Sequence, residues 1–461
     1  MWVFLVLVLT AWAIGSMRLV GRRFALGSTV ALSLLVPVWV TWEIASLPID
    51  VRIASVIVVL LAYCVHPRTR WHGPLVLADF VVVALLLVHV LSDTLNDGFD
   101  PIVLLRAYGE WGMVYVAGRL AVQEPGDLNR LLPIVAGVAL VLAGWSVVES
   151  VAGVNPADYV VGQRFLELGR YNEQRWGLRR AEGPLRHPIY FGALLMLLFP
   201  WVLQVATTYA QRQNRRAWWA APALMVAGVV GSMSRGPALG LGAMGYFLAL
   251  VRHPRWRRAL VVAGVSGAVL LFVGRDTTLR LLHVLSHEQQ QSHKPTLVVD
   301  GQPVEFTGTT YRLLLWKIYA KPMARAGWLG FGTNRTTGFP PLVPFGANDV
   351  ATLKRFEFVD NAYILIDLRF GLLGVLCLVA LVSSSGVYFL RLSRLPASSI
   401  SLFCAAMAST FAAFALLLFT VWLPHDFGFL FLWTAGISSG LWASSRRTTA
   451  LRPSGLGTVT R

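Results

Sequence analysis

Two arginines and one carboxylate in this chain stand where a charged phosphate and a proton could be handled together. Arg235 lies in GSMSRGPALG, between two nearly continuous apolar runs. Ser-Arg-Gly-Pro makes a tight turn there, with Pro237 in the first turn of the next helix. A guanidinium held at such a turn binds phosphate through two parallel hydrogen bonds, which lysine does not match. The plainer alternative is an arginine that snorkels to the interface. Arg312 lies in TYRLLLWKIYAKPMARAGWLGFGTN. Tyr311, Leu314, Leu315, Ile318 and Tyr319 follow helical spacing, which predicts an amphipathic helix lying on a membrane surface. Gly327, Gly330 and Gly332 then permit a tight, closely approaching backbone. Asp360 and Asn361 precede AYIL, where the chain turns apolar again. A carboxylate at that position is suited to take a proton from an incoming hydroxyl, and equally to cap a helix.

A third basic stretch, Arg180 to Pro188 (RAEGPLRHP), ends one polar interval and opens an apolar one. His187 there suits binding a hydroxyl or a phosphate, or capping the helix that follows. His283, His287 and His293 form H-x3-H-x5-H, a spacing that matches no metal motif and reads as a solvated loop. Cys64, Cys377 and Cys404 each sit inside apolar runs and read as small core residues, without disulfide or metal spacing.

The elements that must position these groups are membrane helices. The chain has 461 residues, of which 56% are hydrophobic, and its mean hydropathy is +0.61. That is too apolar for a soluble domain of this length and implies an all-α polytopic membrane protein. Spans of about 20 apolar residues fit a bilayer core of roughly 30 Å. They are expected near 1–15, 24–44, 52–66, 75–92, 102–121, 131–150, 188–206, 218–233, 237–252, 259–275, 361–390, 400–423 and 428–444. The first of these lacks a basic leader and a small-residue cleavage site, so it reads as a retained span. Basic connections alternate with acidic or mixed ones. The positive-inside bias therefore places the N-terminus outside, the C-terminus inside and about twelve or thirteen spans between them. The same bias accounts for the net charge of +17 without nucleic acid. Two outer connections, 151–187 and 276–360, are long and basic, which suggests an anion-binding role. The expected organisation is N-terminal helices over 1–150, a first outer loop over 151–187 and central helices over 188–275. A large outer loop with short amphipathic helices follows over 276–360, then C-terminal helices over 361–444 and a cytoplasmic tail over 445–461.

Taken in order, these pieces resemble the O-antigen ligase and O-antigen polymerase superfamily of bacterial envelope glycosyltransferases. The matching positions are Gly183 with His187-Pro188, Ser234-Arg235-Gly236, and the Arg312/Trp316 helix leading to Gly330-Phe331-Gly332. Asp360-Asn361-Ala362-Tyr363 with Gly371 and Gly374 complete the set. Each motif is short, and the ordered set over roughly 180–375 carries the likeness. The resemblance implies an inner-membrane enzyme with its active site facing the periplasm. It implies an inverting transfer of a glycan from undecaprenyl pyrophosphate to a sugar hydroxyl, with no cofactor and no metal. The acceptor would be a growing glycan, for a polymerase of O-antigen or exopolysaccharide units, or lipid A core, for a ligase. By position, Arg235 and Arg312 correspond to the arginines thought to hold the pyrophosphate, and Asp360 to the base. Arg180, Arg186, His187, Asn361 and Tyr363 would line the substrate. The lipid A core ligases usually carry a histidine just before the asparagine; here that residue is Asp360, and V-D-N-A-Y looks more like the exopolysaccharide polymerases.

Two other classes compete. A flippase or transporter of lipid-linked glycans needs polar residues at mid-membrane, for which Arg106 and Glu110 are candidates, although an i,i+4 pair within one helix is the plainer reading. A different lipid-sugar transferase with an acidic residue in its first outer loop would use Asp50, which also reads as a cap.

Overall fold

The structure, a computed structural model, describes residues 1–44, 47–65, 73–161, 174–175, 177–273, 296–299, 302–305, 308–336, 356, 358–395 and 399–450. His283, His287 and His293 lie outside the described residues. The chain opens with α1 (Trp2–Leu19) and α2 (Arg22–Ser33), the hairpin β1 (Thr41–Ile44) and β2 (Leu47–Asp50), then α3 (Val51–Cys64) and α4 (Leu77–Asp97). Next come α5 (Pro101–Arg106), a π-helical turn over Ala107–Gly112, α6 (Met113–Ala121), α7 (Pro125–Ala152) and α8 (Pro156–Val161). A short hairpin, β3 (Gln174–Arg175) with β4 (Leu178–Arg179), leads into α9 (Pro188–Gln213), α10 (Ala220–Gly231), α11 (Arg235–Arg252) and α12 (Arg257–Val273). The hairpin β5 (Thr296–Val299) and β6 (Gln302–Glu305) precedes α13 (Gly308–Ala326) and α14 (Thr333–Thr336). The last three helices are α15 (Ala362–Ser393), α16 (Ser401–Leu417) and α17 (His425–Ala450).

This is an all-α polytopic membrane protein. Among the described residues, six helices are long and apolar enough to cross a membrane: α1, α4, α7, α9, α15 and α17. The shorter α3 and α16 are also apolar. One expected span, 24–44, is different: α2 stops at Ser33 and the chain turns before entering β1. Pro37 cannot continue a helix, and Val36 and Val40 instead pack with Leu9 and Val51 in a small core beside α1.

Lipid tails are as apolar as leucine, so helices in a membrane associate by close contact rather than by water exclusion. The α6–α17 pair shows this most clearly. A Cβ on Gly118 would come 2.0 Å from the Trp433 carbonyl oxygen, and one on Gly436 would come 2.1 Å from that of Tyr115. Only glycine lets these backbones meet. Near this contact, at the far end of the bundle from the candidate site, Arg119 is fully buried. Its Nε lies 3.3 Å from Asp79 Oδ1, and its Nη2 donates to the Pro74 carbonyl. Tyr115 closes the network, 2.7 Å from Asp79 Oδ1 and 2.8 Å from Ser439 Oγ.

The first turns of α3, α9, α11, α15 and α17 gather at one end with the last turns of α4, α10 and α16. Contacts described below join them. Arg212, Arg215, Arg252 and Arg391 lie at the opposite end, on helix termini and turns exposed to the surroundings.

Candidate functional site

The loop between α16 and α17, residues 418–424 (LFTVWLP), is where the separate motifs meet. Proline at 424 and the polar pair His425-Asp426 stop one apolar run and start the next. This leaves backbone carbonyls at the helix end that need partners. Two motifs supply them, the Arg312 helix and the Asn361-Ala362-Tyr363 segment. Arg312 Nε donates to the Thr420 carbonyl at 3.2 Å. Asn361 Nδ2 donates to the Phe419 carbonyl at 3.0 Å. The Ala362 N–H lies 2.9 Å from the Leu418 carbonyl and 3.1 Å from that of Val421. Tyr363 donates its hydroxyl to the Ala415 carbonyl at 2.8 Å, and its ring lies 4.4 Å from that of Phe419.

Arg312 reaches this loop because α13 is amphipathic, as its spacing predicts. Its apolar face, however, packs on protein. Tyr311, Leu314, Leu315, Ile318 and Tyr319 are buried with Phe356, Val359, Ile364, Leu365 and Leu368 in one cluster. Tyr311 donates to the Phe358 carbonyl and Tyr319 to that of Phe356, at 2.6 Å for the latter. These contacts fix the segment carrying Asp360 against α13. Asp360 is half-buried. Burial pushes its carboxyl above the ordinary carboxylate range, and the nearby Arg312 guanidinium only partly offsets this. Burial and the Asp360 charge together push the Tyr311 phenol up as well.

Asn361 caps α15, its Oδ1 accepting the Ile364 N–H at 3.1 Å. With Nδ2 on Phe419, both ends of its amide are taken by backbone, and the residue is 1% exposed. Asn361 therefore sets the helix and the loop against each other rather than presenting its amide outward.

Arg235 is the first residue of α11 and is half-buried. The turn before it is tight: Met233 has φ 48°, a conformation unusual for a residue with a side chain. Residues 175–181 hold this turn through three contacts. Ala181 N–H donates to the Gly231 carbonyl at 3.0 Å, and Arg175 Nη1 to that of Met233 at 2.9 Å. The buried Arg180 reaches Ser234 Oγ at 3.2 Å through Nη2. On its other side, a Cβ on Gly236 would lie 3.0 Å from Leu417 and 3.2 Å from Thr420 Oγ1. The Arg235 turn and the Arg312 helix thus meet the same residue, Thr420.

Arg186 and His187 stand on the adjoining flank. His187 is the N-cap of α9, its Nδ1 accepting the Ile189 N–H at 3.2 Å, and its ring lies 5.2 Å from Tyr190. Tyr190 in turn accepts a 2.5 Å hydrogen bond from Trp422 Nε1, on the central loop. Arg186 has an exposed side chain, while its N–H donates to Asp426 Oδ2 at 3.0 Å.

Sequence reasoning missed three parts of this arrangement. The first is the 418–424 loop itself, which read as the edges of two spans. The second is an interlock between GWLGFG and a break in α15. Gly371 has φ 63° and ψ −165° inside that helix, a backbone shape that favours glycine. The break frees backbone groups that residues 327–332 satisfy. Phe331 N–H donates to the Leu368 carbonyl at 2.7 Å, and Gly332 N–H to that of Arg369 at 3.0 Å. In return Leu372 N–H reaches the Gly327 carbonyl at 3.0 Å. A Cβ on Gly371 would sit 2.3 Å from the Trp328 carbonyl carbon, and one on Gly330 2.4 Å from that of Arg369. The glycines had read as turn formers; their long-range partner was not legible. On α4, Ser92, Asp93 and Asn96 bind the same junction, with Thr333 N–H 2.6 Å from Asp93 Oδ1.

The third is a buried charged cluster beside Arg186. Asp50 caps α3 through Ile53 N–H at 2.7 Å, which answers the capping reading, and also lies 3.3 Å from His425 Nε2 and 4.0 Å from Arg52 Nε. Burial alone would raise the Asp50 carboxyl. The His425 ring, the Arg52 charge and the Ile53 N–H outweigh it and hold the group at about 2.

No curated protein matches this chain. Residues 220–379, from the start of α10 into α15, match the family described as O-antigen ligase. That segment contains Arg235, Arg312, Asp360, Asn361 and Tyr363, and the match supports the resemblance to the O-antigen ligase and polymerase superfamily.

Proposed function

We propose that this chain transfers a glycan from undecaprenyl pyrophosphate to a sugar hydroxyl at the periplasmic face of the bacterial inner membrane. The observation that carries this reading is the meeting of the Arg312 helix, the Asp360-Asn361 segment and the Arg235 turn on one loop at one end of the bundle. Asp360 is the general base. Burial raises its pKa toward the working pH, which strengthens a carboxylate as a proton acceptor. As the acceptor hydroxyl attacks the anomeric carbon, its proton passes to Asp360. The bond from that carbon to the pyrophosphate oxygen breaks, and the electron pair leaves with the lipid pyrophosphate. Attack opposite the leaving group inverts the anomeric centre. Arg235 and Arg312 hold the pyrophosphate, whose charge grows in the transition state. Donors fixed at a site poor in water stabilise such charge without having to reorganise. Arg180 supports the Arg235 turn from behind, Asn361 and Tyr363 set the start of α15, and Arg186 with His187 lines the glycan path.

An in vitro transfer assay on purified protein tests this, using an undecaprenyl-pyrophosphate-linked repeat unit first alone and then with lipid A core. A ladder from the donor alone identifies a polymerase of O-antigen or exopolysaccharide units. A single shift that requires lipid A core identifies a ligase. The absence of product with both acceptors overturns the transferase reading.

A further inference from the structure

We propose that Asp426 is a positioning residue for the Arg186–His187 flank of the site, and that Arg52 holds it in register. The inference rests on the transferase reading for its kinetic consequence, and on geometry alone for the contact itself. Asp426 is 2% exposed and Arg52 is 1% exposed. Each is the second residue of its helix, α17 and α3 respectively. Arg52 Nη1 donates to the Asp426 main-chain carbonyl at 2.9 Å, and its guanidinium carbon lies 5.8 Å from the Phe429 ring centroid. The Asp426 carboxylate then accepts the Arg186 N–H at 3.0 Å. Two residues earlier, the Pro184 carbonyl accepts the Val38 N–H at 3.0 Å. The turn that presents Arg186 outward is thus tied at the Pro184 carbonyl and at the Arg186 N–H, the latter by the Asp426 side chain, while Glu149 and Asn155 hold Gly183 just before it.

A buried charge is costly and persists where it fixes an arrangement that apolar packing would leave loose. Arg52 is an example: its Nε and Nη2 have no hydrogen-bond partner among the described residues. Maximum stability would favour a fully bonded guanidinium or none. What this cluster achieves is register among three separate segments, α3, the 184–187 turn and α17. Through that register Asp426 decides where the exposed Arg186 side chain points and how His187 caps α9, one ring contact from Tyr190 and the Trp422 loop.

Two readouts test this on the full-length protein in nanodiscs. The first is hydrogen exchange at the Arg186 amide. Asp426→Ala removes the acceptor and is expected to lower protection there at least tenfold, while Asp426→Asn retains an acceptor oxygen and keeps most of it. The second is kinetic, with the undecaprenyl-pyrophosphate-linked repeat unit as donor. Asp426→Ala is expected to raise KM several-fold with kcat little changed, and Asp426→Asn to restore KM. In an Arg186→Ala background, Asp426→Ala is expected to raise KM no further. An unchanged Arg186 amide in Asp426→Ala overturns the contact. Loss of protection with an unchanged KM, or KM effects that simply multiply in the double variant, overturns the positioning role. If Asp426→Ala does not fold, Arg52→Lys keeps a donor and a charge, and the same two readouts apply with smaller shifts expected. A wild-type protein that transfers nothing overturns the transferase reading instead, and the exchange measurement still decides the contact.

Discussion

Arg52 and Arg119 are both wholly buried arginines beside an aspartate, at opposite ends of the same bundle, and they are built differently. Arg119 is well bonded: it meets Asp79 at 3.3 Å and the Pro74 carbonyl at 3.2 Å, and Tyr115 and the Val76 N–H complete the carboxylate's partners. Arg52 approaches Asp50 only to 4.0 Å, and its Nε and Nη2 have no hydrogen-bond partner among the described residues. The well-bonded cluster lies where glycines bring α6 and α17 into contact, and its role is to hold that contact. The under-bonded one lies where Arg186, His187 and the 418–424 loop come together. A buried charge left partly unsatisfied persists where the structure is shaped for a ligand or a register rather than for the lowest energy.

The comparison breaks first if Arg119 proves dispensable. Arg119→Met is expected to cost on the order of 3–5 kcal/mol, since Asp79 would remain buried without its charge partner. Thermal unfolding in detergent should show a large drop in Tm, with transfer lost in proportion to folded protein. At the other end the expected signature is the reverse. Arg312→Ala and Arg235→Ala are each expected to lower kcat by roughly 100-fold or more, as for loss of a fixed donor to a developing anion, while Tm and membrane level stay near wild type. Wild-type-like product from both variants would remove the arginines from the mechanism.

Asp360 sharpens the site end through pH. A base must be ionised, so kcat falls as pH drops through its pKa, and burial places that pKa above the ordinary value of about 3.9 for aspartate. The acidic limb of the kcat profile should therefore lie at higher pH than an exposed aspartate would give. Asp360→Asn should abolish the limb along with most of the rate. The smallest effect concerns the cap: Asn361→Ala is expected to cost about 1 kcal/mol of stability, with part of the rate lost because the 418–424 loop loses one of its ties. An unchanged Tm would mean that the Ala362 N–H contacts suffice to dock α15.

How far these features were legible follows from their range. The apolar runs were readable because a helix of about 20 residues is a local demand of the bilayer. The expected boundaries for α3, α9 and α11 fall within a few residues at their first turns for that reason. The 24–44 run misled because apolar content alone does not distinguish a span from a short helix followed by a packed turn, and Pro37 was the only break in it. The α13 periodicity was sound, but periodicity says which residues share a face and not what covers it. Its partners, Phe356, Val359 and the start of α15, lie some 40 residues away in sequence.

By itself the sequence determined the helical membrane class, the amphipathic character of the Arg312 segment, and the residue types in the four polar stretches that bear chemistry. All of these are set by composition and by neighbours within a few residues. Tertiary structure alone decided that Thr420 is the point where the Arg312 helix and the Arg235 turn meet, that Gly330 and Gly371 exist for each other, and that Asp426 reaches Arg186 across 240 positions. Each of those contacts satisfies a backbone group left open by a helix end or a helix break. Such a group advertises only that it needs a partner, and packing of the whole bundle chooses which one.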